Sequence, residues 1–162
     1  MPEDPDSFSD FYLRHRAEVF RTAYLMCGDR EEASDLTQET FARAFQHWSR
    51  VSTHERPAAW LQTVVSRLAV SWSRHQAARA RFRYLWNHEA SQQMESPEPV
   101  ILRALTALSP AQRRVIVLRF VADRSVDEVA RIIGRRPGTV KALTSQGLAR
   151  MRPLLEAKGV TP

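Results

Sequence analysis

Cysteine is almost absent: Cys27 stands alone among 162 residues and cannot close an intramolecular disulfide. Glycine is scarce as well, five in the whole chain, which leaves few of the positions that tight β-hairpins demand. Long apolar runs are missing, none approaching the roughly 18 residues of a membrane span. The opening Met1 to Asp10 is acidic, unlike the basic and apolar start of a secretory leader, so a cytoplasmic protein is expected. Chemistry-bearing constellations are lacking too. His15, His47, His54, His75 and His88 show no metal-ligand spacing with one another or with Cys27. There is no phosphate-cradling glycine loop and no arguable Ser-His-Asp grouping. A catalytic centre, a metal, a cofactor and a small-molecule ligand are therefore not expected.

What the chain does have is helix-forming material and arginine. Hydrophobic residues make up 43% and charged residues 26%, enough apolar surface to build cores and too much for a disordered chain. Ala, Leu, Arg and Glu fill the long stretches between breaks, which favours helices throughout. Net charge is +6, and of the basic residues only Lys141 and Lys158 are lysines. Arginine's planar fork suits phosphates and base edges, although the bias also matches a GC-rich coding sequence. The charge is unevenly spread. Residues 1–83 carry 12 basic and 11 acidic groups, net +1; residues 84–99 carry three acids and no Lys or Arg, net −3; residues 100–162 carry 12 basic and 4 acidic groups, net +8. Two unlike modules flank an acidic connector.

Hydrophobic spacing predicts a helix over Phe8 to Met26, ended at Cys27-Gly28-Asp29. A second helix aligns Leu36, Thr40, Phe41, Ala44, Phe45 and Trp48 in one apolar stripe, with Glu31, Glu32, Asp35 and Glu39 loading its N-terminal half, as the helix dipole favours. Ser49 to Arg56 reads as a polar loop. Pro57 then opens a third helix in which Leu61, Val64, Val65, Leu68, Ala69 and Trp72 face inward, while Arg67, Arg74, Arg79, Arg81 and Arg83 form a rim without acids. Tyr84 to Pro99 lacks periodicity and ends in Ser-Pro-Glu-Pro, which disfavours helix.

Beyond this linker, Ile101, Leu102, Leu105 and Leu108 suggest a short helix. Ser109-Pro110-Ala111-Gln112 and Ser125-Val126-Asp127-Glu128 are two capping boxes, each opening a further helix. Gly134 stops the second of these, Arg135-Arg136-Pro137-Gly138 turns the chain, and Thr139 to Leu155 forms the last helix. Its expected inward residues are Val140, Leu143, Leu148, Met151 and Leu155, with Gly147 a weak point costing about 1 kcal/mol relative to Ala. Two helices joined by a tight turn, the second basic at its start, make a helix-turn-helix. The first turns of such a helix need small or polar residues for base edges, and Thr139, Lys141, Ala142, Thr144, Ser145 and Gln146 fit. Arg136 is placed for a phosphate, whereas Arg113-Arg114 is expected to be solvated. Asp35, Gln38, Glu39 and Arg43 project from one helix face toward a protein partner. Trp60 is placed either for the core or for stacking on an unpaired base.

The stretches Arg21-Thr-Ala-Tyr-Leu-Met-Cys-Gly-Asp29, Asp35-Leu-Thr-Gln-Glu-Thr-Phe-Ala-Arg-Ala-Phe45, Arg56-Pro-Ala-Ala-Trp-Leu61, Ala107-Leu-Ser-Pro-Ala-Gln-Arg-Arg-Val-Ile-Val-Leu-Arg119, Ser125-Val-Asp-Glu-Val-Ala130 and Gly138-Thr-Val-Lys141 together resemble the extracytoplasmic-function (ECF) group of the sigma-70 family. The resemblance implies an all-α chain of two small domains. Region 2, a three-to-four-helix bundle, would occupy 11–80. A flexible acidic linker would follow at 81–97, and region 4 with its helix-turn-helix at 98–157, between short tails at 1–10 and 158–162. It also implies a function: an initiation factor that binds the beta and beta-prime subunits of core RNA polymerase, reads and melts the minus-ten promoter element, and binds the minus-thirty-five element.

Carried over by motif, Asp35, Leu36, Gln38, Glu39, Phe41 and Arg43 would contact polymerase, with Leu36 and Phe41 equally suited to the core. His54, Arg56, Trp60, Thr63, Arg67 and Arg74 would meet minus-ten DNA, the loop from Val51 to Arg56 capturing a flipped base. Arg136, Thr139, Lys141, Ala142, Thr144, Ser145 and Gln146 would meet minus-thirty-five DNA. Four positions depart from the family pattern: many relatives have Asn at Arg67 and Arg at Gln146, and Ala142 and Leu143 stand where polar residues are common. An anti-sigma factor is a further expected partner, and membrane insertion is not expected. Two other classes fit parts of the sequence. One is a stand-alone helix-turn-helix regulator acting without core polymerase, and the other an adaptor that contacts polymerase but reads no promoter.

Overall fold

A computed structural model describes the backbone of residues 5–84 and 100–157, and the side chains of 7–75 and 100–157. Residues 85–97 of the expected linker, the start of the N-terminal tail and the C-terminal tail lie outside the described residues. Every regular element among those described is helical: α1 (Pro5–Cys27), α2 (Arg30–Gln46), α3 (Trp48–Ser52), α4 (Pro57–Tyr84), α5 (Val100–Thr106), α6 (Pro110–Phe120), α7 (Val126–Ile133) and α8 (Pro137–Glu156).

In the N-terminal module α1, α2 and α4 pack on one another around Val19, Ala23, Leu61 and Val65, all almost wholly buried. Gly28 takes φ 73°, the left-handed conformation that lets α1 stop, and Asp29 then caps α2 by accepting from the Glu32 N–H at 3.0 Å. Buried Thr22 donates its hydroxyl hydrogen to Gln62 Oε1 at 2.8 Å, tying α1 to α4 through the core.

The structure departs from these expectations at four points. Ser49 to Arg56 is not wholly loop, because Trp48 and Val51 bury their side chains one helical turn apart and wind Trp48–Ser52 into α3. Helix α1 begins at Pro5, inside the segment expected as a tail, and Phe8 packs edge-on against Phe45 and Trp48 at ring-centre distances of 5.1 and 5.2 Å. Phe45 itself, placed in the apolar stripe by its spacing, remains 62% exposed. At the other end α4 runs to Tyr84, so residues 81–84, expected at the start of the linker, are helical.

In the C-terminal module both capping boxes form as the sequence requires, Ser109 with Gln112 and Ser125 with Glu128. The α6–α7 corner is closed by Asp123 at φ 51° with the Arg124 N–H reaching Leu118 O at 2.9 Å, a left-handed turn that Asp tolerates better than most residues. Val115, Leu118, Val129 and Val140 fill the core between α6, α7 and α8. Leu148, expected inward, is 40% exposed. Gly147 is buried where α8 crosses α6, so its small size permits a close approach and is more than a weak point.

Candidate nucleic-acid interface

The helix-turn-helix is built by α7 and α8. Gly134 ends α7 at φ 66°, the Arg135 N–H closes back onto Ala130 O at 3.0 Å, and Pro137 supplies the pre-set first residue of α8. Val140, Gly147 and Met151 anchor one side of α8 in the core. The opposite side therefore presents Thr139, Lys141, Ala142, Ser145 and Gln146, all exposed, with Arg136 exposed at the N-cap. Thr144 is the exception. It is half-buried, and its hydroxyl hydrogen already goes to Val140 O at 2.8 Å, leaving it the least available of the six expected base-facing residues on α8. No acidic residue occurs from Val129 to Leu155, so this surface is uniformly basic.

The second basic surface lies on α4 and the loop before it. Trp60, Thr63, Arg67 and Arg74 fall on one stripe of α4, the two arginines exposed and Trp60 and Thr63 half-buried. Trp60 packs its inner side against the core and keeps part of the ring at the surface. The loop leading into α4 is shaped from within: His54 Nδ1 accepts the Arg56 N–H at 3.0 Å, and the Trp60 N–H returns to Arg56 O at 3.2 Å. His54 and Arg56 are both exposed.

The acidic surface is on α2, where Asp35, Gln38 and Glu39 are exposed and Arg43 pairs with Glu39 at 2.7 Å, one turn on. Leu36 and Phe41 do not share that surface. They are 8% and 4% exposed, with Phe41 edge-on to Tyr12 at 4.8 Å, and their place in the motif reflects the core. Asp35, Gln38, Glu39 and Arg43 thus come together on one face, the α4 residues on another, and the α8 residues on a third.

Sequence reasoning missed the arginines that are not solvated. Arg113 donates from Nε to Leu105 O at 2.9 Å and caps the end of α5, and Arg114 reaches Ser73 on α4 at 2.8 Å. Burial lowers the pKa of both guanidinium groups. Arg124 is almost wholly buried and pairs with Glu128 at 3.4 Å. Partners eight residues away in a turn, or 41 away on another helix, leave no local pattern to read.

A basic helix-turn-helix joined to a helical bundle with one acidic and one basic face defines a two-module DNA-binding protein. The family model for Sigma-70 region 2 matches residues 11–79, and that for Sigma-70, region 4 matches 100–151. The ECF RNA polymerase sigma factor SigL of Mycobacterium tuberculosis is 32% identical, over 93% of this chain and 89% of its own length. The RNA polymerase sigma-E factor of Streptomyces coelicolor is 30% identical over 91% and 85%. The ECF RNA polymerase sigma factor BldN of the same organism is 28% identical over 94% of this chain, which spans 61% of BldN. The sigma factor RpoE, solved in complex with the anti-sigma factor NepR from Bartonella quintana, has the same fold, with a TM-score of 0.71 at 23% identity over 93% of this chain and 97% of that one. The chain belongs to the ECF sigma factors of the sigma-70 family. No helix among the described residues is long and apolar enough to cross a membrane.

Proposed function

We propose that this chain directs RNA polymerase to promoters through its three outward faces. The observation that carries the reading is that acidic and basic surfaces sit on separate elements of one small molecule, each anchored by its own buried side. Asp35, Gln38 and Glu39 on α2 complement a basic surface of the beta-prime subunit, while region 4 engages the beta subunit. The loop His54 to Arg56 and the α4 stripe of Trp60, Thr63, Arg67 and Arg74 meet the minus-ten element. Extruding a base there costs a few kcal/mol, offset by stacking and phosphate contacts. Thr139, Ala142, Ser145 and Gln146 enter the minus-thirty-five major groove, Arg136 and Lys141 hold phosphates, and Thr144 supports from behind.

The chain contributes recognition and melting; polymerase makes the phosphodiester bonds, so the protein has no catalysis of its own. Its place is the cytoplasm, with the chromosome and polymerase. An anti-sigma factor is a fitting antagonist, since unrestrained sigma would compete for polymerase continuously.

Run-off transcription on fragmented genomic DNA with purified core polymerase tests this, comparing wild type with Asp35→Arg. Discrete starts with wild type, lost with the charge-reversed variant, are expected. Retardation of particular fragments by the chain alone, with no polymerase binding and no new starts, would replace the reading with a stand-alone regulator.

A further inference from the structure

Where the C-terminal module packs on the N-terminal one, α6 lies against α1 and α4, and α7 against α4. The two walls do not meet everywhere. They leave an open cleft of about 350 Å³, with Glu18 of α1 and the start of α4 on one side and the α6–α7 corner on the other. That volume falls in the range of small-molecule sites. Small side chains keep the cleft open, since Ala58, Ala59 and Ala122 reach only a short way from the backbone.

Charge in this cleft is balanced but unpaired. Each wall carries one acid and one base, Glu18 with Arg56 and Asp123 with Arg124. The ion pairs among the described residues are Arg43 with Glu39 and Arg124 with Glu128. Glu18, Arg56 and Asp123 therefore line one space without pairing across it. Arg124 is incompletely matched as well. Its side chain is 6% exposed, its contact with Glu128 is long at 3.4 Å, and its buried Nε has no hydrogen-bond partner. A buried guanidinium donor left unmatched is costly.

The positive side of the cleft is completed by backbone. Ala58 and Ala59 stand in the first turn of the 28-residue helix α4, where N–H groups have no intrahelical acceptor and the dipole is positive. An anion alone would gain Arg56, Arg124 and this helix start, but it would also meet Glu18 and Asp123. A cation alone faces the reverse conflict. A compact molecule carrying both signs answers all four side chains.

We propose that the cleft is a binding site for a free α-amino acid. Its carboxylate is held by Arg56, Arg124 and the first turn of α4, its ammonium by Glu18 and Asp123, and its side chain lies against the alanines. The consequence for function rests on the promoter-directing reading above. Arg56 belongs there to the minus-ten surface, so an occupied cleft withholds it from DNA and the ligand acts as a brake on initiation.

The test is calorimetric titration of the full chain with L-amino acids one at a time, each beside its N-acetyl derivative and its methyl ester. One or a few free amino acids are expected to bind. The derivatives, lacking the ammonium or the carboxylate, should bind about tenfold more weakly, the worth of one hydrogen bond to a charged group. Glu18→Gln, and Asp123→Asn, which tolerates the left-handed turn, should each weaken binding by about the same factor. Ala59→Leu fills the cleft and should abolish binding. Thermal melts establish that each variant is folded, and Glu18→Gln, at an exposed position, decides alone if the others are not. No binding of any amino acid, or equal binding of the blocked derivatives or by Glu18→Gln, would overturn the site while leaving the polymerase reading intact. Run-off starts are expected to fall as the bound amino acid is added to wild type, and starts indifferent to it would overturn the brake. A chain that binds the amino acid but directs no starts at all would keep the site and overturn the promoter reading.

Discussion

Gly147 of α8 and Ile116 of α6 touch so closely that a β-carbon on Gly147 would stand 3.0 Å from Ile116 Cγ1 and 3.2 Å from Cδ1. The helix propensity gained by Gly147→Ala, about 1 kcal/mol, is offset by the shift it forces on Ile116. Gly147→Leu overpacks the crossing and is expected to destabilise the protein by about 1–3 kcal/mol. Adding Ile116→Ala to Gly147→Leu should recover part of that loss. Denaturant midpoints of the three variants measure it, and an unchanged midpoint for Gly147→Leu would mean that α6 and α8 do not cross here.

The helix-turn-helix was legible almost to the residue because its punctuation is local. Ser109 with Gln112 and Ser125 with Glu128 cap within three residues, and Gly134 needs only its own positive φ. The short helix α3 was not, since Trp48 and Val51 give it a single turn of pattern inside a polar segment. Phe45 and Leu148 carry the right spacing and still face outward, because periodicity assigns a face without fixing how far the neighbouring helix extends over it. Among the site residues, Asp35, Gln38 and Glu39 could be placed from spacing alone. The burial of Leu36 and Phe41 required knowing where Tyr12 lies, and the pairing of Arg114 with Ser73 spans two modules.

Acid should weaken the C-terminal module through Glu128. Its carboxylate accepts the Ser125 N–H at 2.8 Å and meets Arg124 at 3.4 Å. The Ser125 backbone hydrogen bond is the main cause that holds its pKa below the usual glutamate value. A carboxylate with a depressed folded pKa stabilises the protein above its unfolded pKa, and that contribution is lost as pH falls through the folded value. Glu128→Gln is expected to cost about 1 kcal/mol at neutral pH, the usual worth of a cap. Thermal melts of variant and wild type should converge as pH drops below about 4, near the ordinary glutamate range. A constant gap across that range would show that the charge of Glu128 contributes nothing.

Thr22→Val keeps the shape of the α1–α4 contact but removes the donor to Gln62 Oε1, leaving a buried acceptor without its partner. The expected loss is about 1–3 kcal/mol in unfolding free energy. Promoter binding per folded molecule should be unchanged, because both side chains face away from the α4 stripe that carries Arg67 and Arg74. Chemical denaturation gives the first quantity, and binding titrated against active fraction gives the second. A variant as stable as wild type would show that this hydrogen bond adds nothing net.

Lys141 and Gln146 share the exposed side of α8 but should fail differently on minus-thirty-five DNA. A lysine near the helix start acts as a phosphate contact. Lys141→Ala is thus expected to weaken binding to all sequences alike and to reduce the slope of log affinity against log salt by about one. Gln146 stands where many family members have arginine. Gln146→Arg adds a fork able to take guanine O6 and N7 together, a pairing worth about 1–3 kcal/mol of discrimination where a guanine lies beneath it. The expected result is tighter and more selective binding of guanine-containing sites with a steeper salt slope. Fluorescence anisotropy on a panel of minus-thirty-five duplexes at several salt concentrations separates the two effects. If Gln146→Arg leaves affinity unchanged on every duplex, position 146 does not reach the groove, and the minus-thirty-five base contact must shift toward Thr139 and Ala142 at the start of the helix.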